Sequence, residues 1–199
     1  MLDLRTDEQL MVAAKDGDDE AFQALAGRLR HVVARFLGHL GCEQSCIEDL
    51  VQETLLRLWA SRGAYEQRAA LKTYVLTIAK NLWLYERLRR RPAQRERTVR
   101  ASPEELDRLL LRDGRRSDGA DVALLRKYRA LRLRRAIVAL PERQRLVFVL
   151  AHTEDLPYAE IARMLGVAEG TVKSRMYRAV RNLRRSLQAD FPGLANEEE

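Results

Sequence analysis

The sequence predicts an all-α protein built from two small helical domains. Apolar residues recur at helical spacing along most of the 199 residues, and only ten glycines and five prolines interrupt them. Hydrophobic residues make up 46% of the chain, which is enough to bury a core. One stretch, 92–121, lacks this periodicity and separates an N-terminal half, 1–91, from a C-terminal half, 122–190. We therefore expect two helical units, a flexible linker and a disordered acidic tail, 191–199.

Four helices are predicted in the N-terminal half. Thr6 is a candidate N-cap of the first helix, because two acidic residues follow it in the first turn. The second helix is expected over 19–40, where two glycines mark its end. The fourth stops before Pro92, since the residue before a proline disfavours the α region. The apolar stripes of the third and fourth helices contain Ile47, Leu50, Val51, Leu55, Leu58, Leu71, Val75, Ile78, Ala79 and Leu82.

The linker and the C-terminal half differ sharply in composition. Alternating charges, Ser-Pro and Asp-Gly steps and few aromatic residues predict that 92–121 builds no core of its own. Helical periodicity resumes near Val122, and Pro141 suits the first position of a helix. Three further helices are then expected over 141–151, 157–165 and 168–187.

The distribution of charge favours a polyanionic partner. The chain carries 36 basic and 29 acidic residues, for a net charge of +7. Between Arg126 and Leu187 there are fifteen basic residues against five acidic ones, so the excess lies in the C-terminal half. Such a concentration is typical of nucleic-acid binding.

The segment 156–178 has the pattern of a helix-turn-helix. Ile161, Ala162 and Leu165 are spaced to face inward, and Gly166 supplies the left-handed residue that ends the first helix. The second helix then enters the major groove with its N-terminus first. The side chains off its buried stripe, which can reach bases or phosphates, are Thr171, Lys173, Ser174, Arg175 and Arg178. The alternative is a solvated basic face on an ordinary helical hairpin.

At these residues the chain resembles a known family. The segments Leu140–Arg145, Tyr158–Ala162 and Gly170–Arg175 are similar to region 4 of sigma-70-family sigma factors. The segments Glu48–Thr54 and Tyr74–Asn81 are similar to region 2 of the same family. Two matches in this order, with no region 3 between them, are typical of the compact extracytoplasmic-function (ECF) type. The resemblance implies a subunit that binds core RNA polymerase and directs transcription initiation at specific promoters.

The resemblance also implies a role for each half. Region 2 is expected to read and melt the minus-10 element and region 4 to read the minus-35 element. Core polymerase is expected to present its β′ coiled coil and its β flap, and an anti-sigma factor is expected as a further partner. The residues that match the β′-binding positions, with their apolar neighbours, are Asp49, Gln52, Glu53, Leu56 and Trp59.

For the minus-10 element, Asn81 matches a position that approaches the non-template strand, and the loop 61–71 matches one that captures a flipped base. Capture of a single strand needs cationic contacts to the backbone. The cations expected to supply them are Arg68, Lys72, Lys80, Arg87 and Arg90. Tyr74 and Tyr85 depart from the residues usual in the family, and we expect both to be core residues rather than stacking platforms.

Other classes of function find little support in the sequence. No nucleotide-binding glycine loop, nucleophile elbow or cluster of catalytic carboxylates is present, so neither an enzyme nor a cofactor is expected. His31, His39, Cys42 and Cys46 could in principle bind zinc, or the two cysteines could form a redox pair, although two cysteines more often behave as small buried hydrophobes. The N-terminus lacks the order of a signal peptide and no apolar run spans a bilayer, so a cytoplasmic protein without membrane insertion is expected.

Two rival functions remain open at this point. A stand-alone helix-turn-helix regulator would use 1–91 as a sensor or dimerisation domain and would bind duplex DNA tightly without polymerase. A helical adaptor or antagonist would carry the basic helix merely as a solvated surface. Run-off transcription with core polymerase distinguishes both from a sigma factor.

Overall fold

The computed structural model describes residues 4–66, 70–90 and 118–188, with only the backbone described at Arg90 and over 118–127. No strand occurs within these residues, which confirms the prediction of an all-α protein. The α-helices are α1 (Asp7–Lys15), α2 (Asp19–His39), α3 (Gln44–Ser61), α4 (Leu71–Arg90), α5 (Asp118–Ala139), α6 (Glu142–Phe148), α7 (Tyr158–Leu165) and α8 (Glu169–Leu187). A 3-10 turn (Arg62–Ala64) follows α3, and a π-helical turn (Val149–Thr153) follows α6.

The starts of the first two helices follow from their capping residues. The Thr6 hydroxyl accepts a hydrogen bond from the Gln9 amide, and the Gln9 side chain accepts one from the Thr6 amide, which completes a capping box. The Asp18 carboxylate accepts a hydrogen bond from the Ala21 amide at the start of α2. These hydrogen bonds, with one from Arg5, lower the pKa of Asp18. The predicted cap at Thr6 is confirmed.

Helices α1 to α4 pack around one set of apolar side chains. The long helix α2 lies at the centre of this half and contacts α1, α3 and α4. Phe36 of α2 and Leu58 of α3 are completely buried between them. This packing leaves one face of α3 and the C-terminal part of α4 exposed.

The C-terminal half departs from the sequence prediction at two places. Helix α5 begins at Asp118, inside the stretch assigned to the linker. The helix predicted over 141–151 is α-helical only to Phe148 and then widens into the π-helical turn, in which the Glu154 amide donates to the Val149 carbonyl oxygen. Such a turn corresponds to one extra residue in a helix. The predicted linker over 92–117 and the predicted tail over 191–199 lie outside the described residues.

The two halves pack against each other, which the sequence did not predict. Buried residues of both form one continuous hydrophobic cluster, and α2 contacts α5 while α4 contacts α7. Gly41, at the end of α2, has φ +82°. A Cβ there would lie 2.9 Å from Arg145 Nη1 and 2.9 Å from Val138 Cγ1, so glycine allows the close approach of the halves. The N-terminal and C-terminal helices are thus separate along the sequence, but their buried side chains form one hydrophobic core.

Candidate nucleic-acid interface

Helices α7 and α8 form the helix-turn-helix that the sequence predicted. Gly166 adopts the left-handed conformation, φ 64° and ψ 39°, and ends α7. Ile161 is completely buried and Ala162 is 8% exposed where the two helices meet. Met164, rather than Leu165, is the more deeply buried residue of the last turn of α7. The core between the helices is completed by Val172 and Met176.

The predicted minus-35 residues lie together on the N-terminal half of α8. Lys173, Ser174 and Arg178 are exposed, while Thr171 and Arg175 are half-buried. Lys173 forms an i,i+4 ion pair with Glu169, with 3.0 Å between Nζ and Oε1. This pair is on the surface, so it leaves the ammonium available to a phosphate. The helix therefore presents three cations and two hydroxyls along its first three turns.

Two features of α8 add to this surface. Its N-cap residue, Ala168, makes no side-chain hydrogen bond to the first turn, so no side chain caps the amides of Glu169 and Gly170 at the positive end of the helix dipole. Tyr177 is 69% exposed between Ser174 and Arg178. Tyr177 was not among the predicted residues, although its spacing of four residues from Lys173 places it on the same face.

A cleft joins this surface to the end of α4. Its volume is about 700 Å³. Arg87 of α4 and Arg175 of α8 both line it, so a predicted minus-10 residue and predicted minus-35 residues share one cleft. The cleft is lined by Leu84, Arg87, Leu88, Pro141, Glu142, Arg143, Gln144, Thr171, Ser174, Arg175 and Arg178.

Three of the predicted minus-10 cations contact the C-terminal half. Lys72 Nζ donates to the Glu154 carbonyl oxygen at 2.8 Å and lies 3.0 Å from the carboxylate of the same residue. Lys80 is 7% exposed, and its Nζ donates to the Met164 carbonyl oxygen at 2.7 Å. Burial lowers the pKa of the Lys80 ammonium. Arg87 Nε lies 3.5 Å from a carboxylate oxygen of Glu142.

The remaining predicted minus-10 residues are distributed differently. Asn81 is exposed on α4 and follows Lys80 directly. Arg68 and the side chain of Arg90 lie outside the described part of the chain. The structure therefore brings Lys72, Lys80 and Arg87 to the boundary between the halves and leaves Asn81 on the outer surface.

The two tyrosines of α4 have different surroundings. Tyr74 is partly buried against the core, and its hydroxyl group lies 3.0 Å from the Ser61 hydroxyl oxygen, as expected of a core residue. Tyr85 is 68% exposed, so its prediction as a core residue is wrong. In this turn of α4 the buried positions are occupied by Leu82 and Trp83, and Tyr85 therefore lies on the exposed side of the helix.

The predicted polymerase-binding residues lie along α3. Asp49 and Gln52 are exposed, Glu53 is half-buried, and Leu56 is 54% exposed among them. Glu53 pairs with Arg57 one turn later, with 2.7 Å between Oε1 and Nε. This face therefore combines an acidic surface with an exposed apolar side chain.

Trp59 is set apart from that face. Its ring packs against Phe22 of α2, with 4.7 Å between centroids, and the Arg62 guanidinium lies 3.5 Å above it. The indole is half-buried. Trp59 thus helps to hold α3 to α2 and is only partly available at the surface.

The possible zinc ligands do not form a cluster. Within the described residues, no group of three or more His, Cys, Asp or Glu side chains is arranged to hold a metal ion. His39 instead lies near Glu154 and Arg134, and burial lowers its pKa. Cys42 and Cys46 line a small pocket beside Arg87 and Arg145.

The length and polarity of the helices also bear on membrane insertion. Over residues 4–66, 70–90 and 118–188, none of the helices combines the length and apolar character that crossing a bilayer requires.

Two family profiles match the chain in the expected order. Residues 21–93 match the profile "Sigma-70 region 2", and residues 130–183 match "Sigma-70, region 4". The first match covers α2 to α4, and the second contains the helix-turn-helix.

Curated relatives match nearly the whole chain. The ECF RNA polymerase sigma factor RpoE of Cereibacter sphaeroides is 32% identical over 182 residues, which cover 89% of this chain and 93% of that protein. The ECF RNA polymerase sigma factor SigM of Mycobacterium tuberculosis is 31% identical over 92% of this chain and 85% of that protein.

Solved structures show the same fold. The sigma factor RpoE of Bartonella quintana, in complex with the anti-sigma factor NepR, superimposes with a TM-score of 0.62 at 25% identity, over 85% of this chain and 98% of that one. CnrH, in complex with the cytosolic domain of CnrY, also gives 0.62, at 22% identity over 92% of this chain and 98% of that one.

Matches to both regions, extended by relatives that align along nearly their full length, confirm the resemblance found in the sequence. They favour a sigma factor over a stand-alone regulator or an adaptor. The chain therefore belongs to the ECF sigma factors of the sigma-70 family, the promoter-recognising subunits of RNA polymerase.

Proposed function

We propose that α8 enters the major groove at the minus-35 element, with its N-terminus facing the DNA. The observation that carries this proposal is the basic, outward face of α8 behind the sharp turn at Gly166. Arg175 and Arg178 are the candidates for reading base edges, because arginine is the commonest bidentate reader of guanine. Lys173, Ser174 and the first amides of α8 are suited to phosphates. Tyr177 extends the same surface.

We infer that α4 and the loop before it bind the minus-10 element as a single strand. Asn81 is exposed for contact with a base. The cations proposed to contact the backbone of the strand are Arg68, Lys72, Lys80, Arg87 and Arg90. Melting needs no chemical step, since contacts to extruded bases offset the loss of stacking. This role also explains why we assign no active site of its own to the chain and leave catalysis to core polymerase.

The α3 face is the proposed contact with core polymerase. Asp49, Gln52 and Glu53 supply polar and acidic groups, and exposed Leu56 supplies the apolar anchor that a stable interface needs. Trp59 contributes less directly, by holding α3 against Phe22. The region 4 half is proposed to contact the β flap.

The proposed organisation assigns 1–91 to polymerase binding and the minus-10 element, 92–121 to a linker, 122–190 to the minus-35 element and 191–199 to a tail. The solved neighbour from Bartonella quintana is a sigma factor in complex with the anti-sigma factor NepR, and CnrH is in complex with the cytosolic domain of CnrY. An anti-sigma factor is therefore a proposed partner here. A cytoplasmic location is proposed on the same ground, since the protein would act on RNA polymerase.

Run-off transcription tests this function. Purified chain is added to core polymerase on a library of promoter fragments, and transcripts that begin at defined sites are expected only when both are present. Failure to bind core polymerase would contradict the assignment. Tight, specific duplex binding without polymerase would instead favour a stand-alone regulator.

A further inference from the structure

We propose that the free protein is held closed by a latch between its two halves, and that the latch masks the cations assigned to the minus-10 element. The latch consists of Glu154 with Lys72 and Arg35, of Thr73 with Glu160, and of Lys80 with the Met164 carbonyl. Opening of these contacts is then required before single-stranded DNA can bind.

The centre of the latch is a carboxylate buried between the halves. Glu154 follows the π-helical turn, and its side chain is completely buried. Its Oε2 lies 3.0 Å from Lys72 Nζ and 3.3 Å from Arg35 Nη2. Two cations of the N-terminal half thus converge on one acid of the C-terminal half, although each cation remains partly exposed.

Two further contacts continue the latch along α4. The Thr73 hydroxyl donates to the Glu160 carboxylate at 2.7 Å. Lys80, two turns further on, donates to the Met164 carbonyl oxygen in the last turn of α7. Helix α4 is therefore bound to the C-terminal half at three places, once at Glu154 and twice on α7.

These contacts use the same atoms that DNA would need. A Lys72 ammonium bound to a carboxylate gains little from a phosphate, and the Lys80 ammonium is buried beneath α7. Single-strand binding depends on cations placed along the backbone, so each masked cation removes one phosphate contact. The closed form is consequently incompatible with binding of the minus-10 strand along this side of α4.

The latch is poised to open because its central carboxylate is incompletely satisfied. Glu154 Oε1 is buried and has no hydrogen-bond partner among the described residues. A buried charge with an unsatisfied oxygen carries a desolvation cost that its ion pairs only partly offset. Opening returns that oxygen to water, which lowers the cost of separating the halves.

The test compares Glu154→Gln with Asp155→Asn in the full-length chain. Both substitutions remove one negative charge at neighbouring positions, but Asp155 is exposed and its φ of 55° is one that asparagine also adopts. Thr73→Val is a second latch variant, which acts from the other half and lies outside the proposed DNA contacts. Circular dichroism checks that each variant remains helical.

Two quantities are measured on each protein without polymerase. X-ray scattering gives the radius of gyration, and titration with single-stranded oligo(dT) at several salt concentrations gives the affinity and its salt dependence. We expect the latch variants to have a larger radius and, if the open form is about a tenth of the free wild type, roughly tenfold tighter binding. The slope of log K against log salt should steepen by about 1.4 when the two cations Lys72 and Lys80 are freed.

Asp155→Asn should match the wild type in radius and should show no steepening. An unchanged radius in both latch variants, or a larger radius without a steeper slope, would overturn the proposal. The inference rests on the proposed role of Lys72 in binding the minus-10 strand, and the two can fail separately. If Glu154→Gln gains affinity that Lys72→Ala does not then reduce, the latch stands and the role of Lys72 is wrong.

Discussion

The ammonium of Lys80 in α4 donates a hydrogen bond to the backbone carbonyl oxygen of Met164, so a cation of the N-terminal half closes the end of α7. The carbonyls in the last turn of a helix lack partners within it and carry the negative end of the dipole. A lysine is therefore a favourable partner there. This contact makes the stability of the helix-turn-helix depend on α4.

Lys80→Met should lower the free energy of unfolding by about 1–3 kcal/mol, because a charge-assisted hydrogen bond is lost from a buried place. Urea denaturation followed by circular dichroism measures the change. Lys173→Met is the control, since Lys173 pairs only on the surface and should cost less than about 1 kcal/mol. Equal losses in the two variants would contradict the capping role.

Gly41→Ala should destabilise the protein more than Gly17→Ala. Both glycines have positive φ, +82° and +101°, so both substitutions carry backbone strain. At Gly17 a Cβ would meet nothing within 4 Å, whereas at Gly41 it would meet Arg145 and Val138 at 2.9 Å. We expect an additional loss of about 1–3 kcal/mol for Gly41→Ala. Equal midpoints in urea would contradict the close approach of the halves at Gly41.

Leu56→Asp should weaken binding to core polymerase about tenfold or more, since it places a charge in the proposed apolar anchor. Stability should change little because Leu56 is 54% exposed. Surface plasmon resonance against core enzyme measures the affinity. Val12→Asp introduces the same charge at a 42% exposed position of α1 and should bind normally. A loss shared by both variants would contradict a specific contact at α3.

Arg175→Ala should cost about 1–3 kcal/mol in minus-35 binding and should relax the preference for one base, if Arg175 reads a base edge. Lys173→Ala should instead lower the salt slope by about 1 on all sequences. Holoenzyme binding to a matched and a substituted minus-35 element measures both effects. Arg185→Ala, an exposed arginine near the end of α8, is the control. Equal loss on every sequence for Arg175→Ala would contradict base readout.

The stability should fall as the pH decreases below about 6.5 because of His39. Burial lowers its pKa in the folded state, so the unfolded chain takes up a proton that the folded protein resists. Nearby Arg134 and Arg35 act in the same direction, and Glu154 opposes them. Between about pH 7.5 and 5.5, wild type should therefore lose more stability in urea than His39→Gln. Parallel losses would assign the dependence to other groups.

Features encoded within a few residues were predictable from the sequence. The capping box at Thr6 and the left-handed residue at Gly166 depend on their immediate neighbours, and both are confirmed. The exposed face of α8 follows from helical spacing in the same way. Tyr85 was misplaced because an aromatic residue near an apolar stripe fits either side of a helix until its packing partners are known.

The contacts between the halves could not be derived by the same means. Thr73 and Glu160 are separated by 87 positions in the chain, and the helix-turn-helix motif that contains Glu160 does not indicate its partner. From the sequence, Glu154 would be expected to be an exposed acidic residue in a loop. Helical periodicity does not indicate which other segment of the chain will pack over it and bury its side chain. The roles of individual DNA-binding and polymerase-binding residues remain predictions for the experiments above.

The π-helical turn at Val149–Thr153 makes the direction of Glu154 a matter of helical winding. Because the Glu154 amide bonds to the carbonyl five residues back, Glu154 lies about where the fourth residue after Val149 would lie in an α-helix. If the same residues wound as a regular α-helix, Glu154 would turn by about 100°, away from Lys72 and Arg35, with every side chain unchanged in type. A change of winding at this single turn would thus release the acid that holds the factor shut, with no substitution in either the DNA-binding or the polymerase-binding surface.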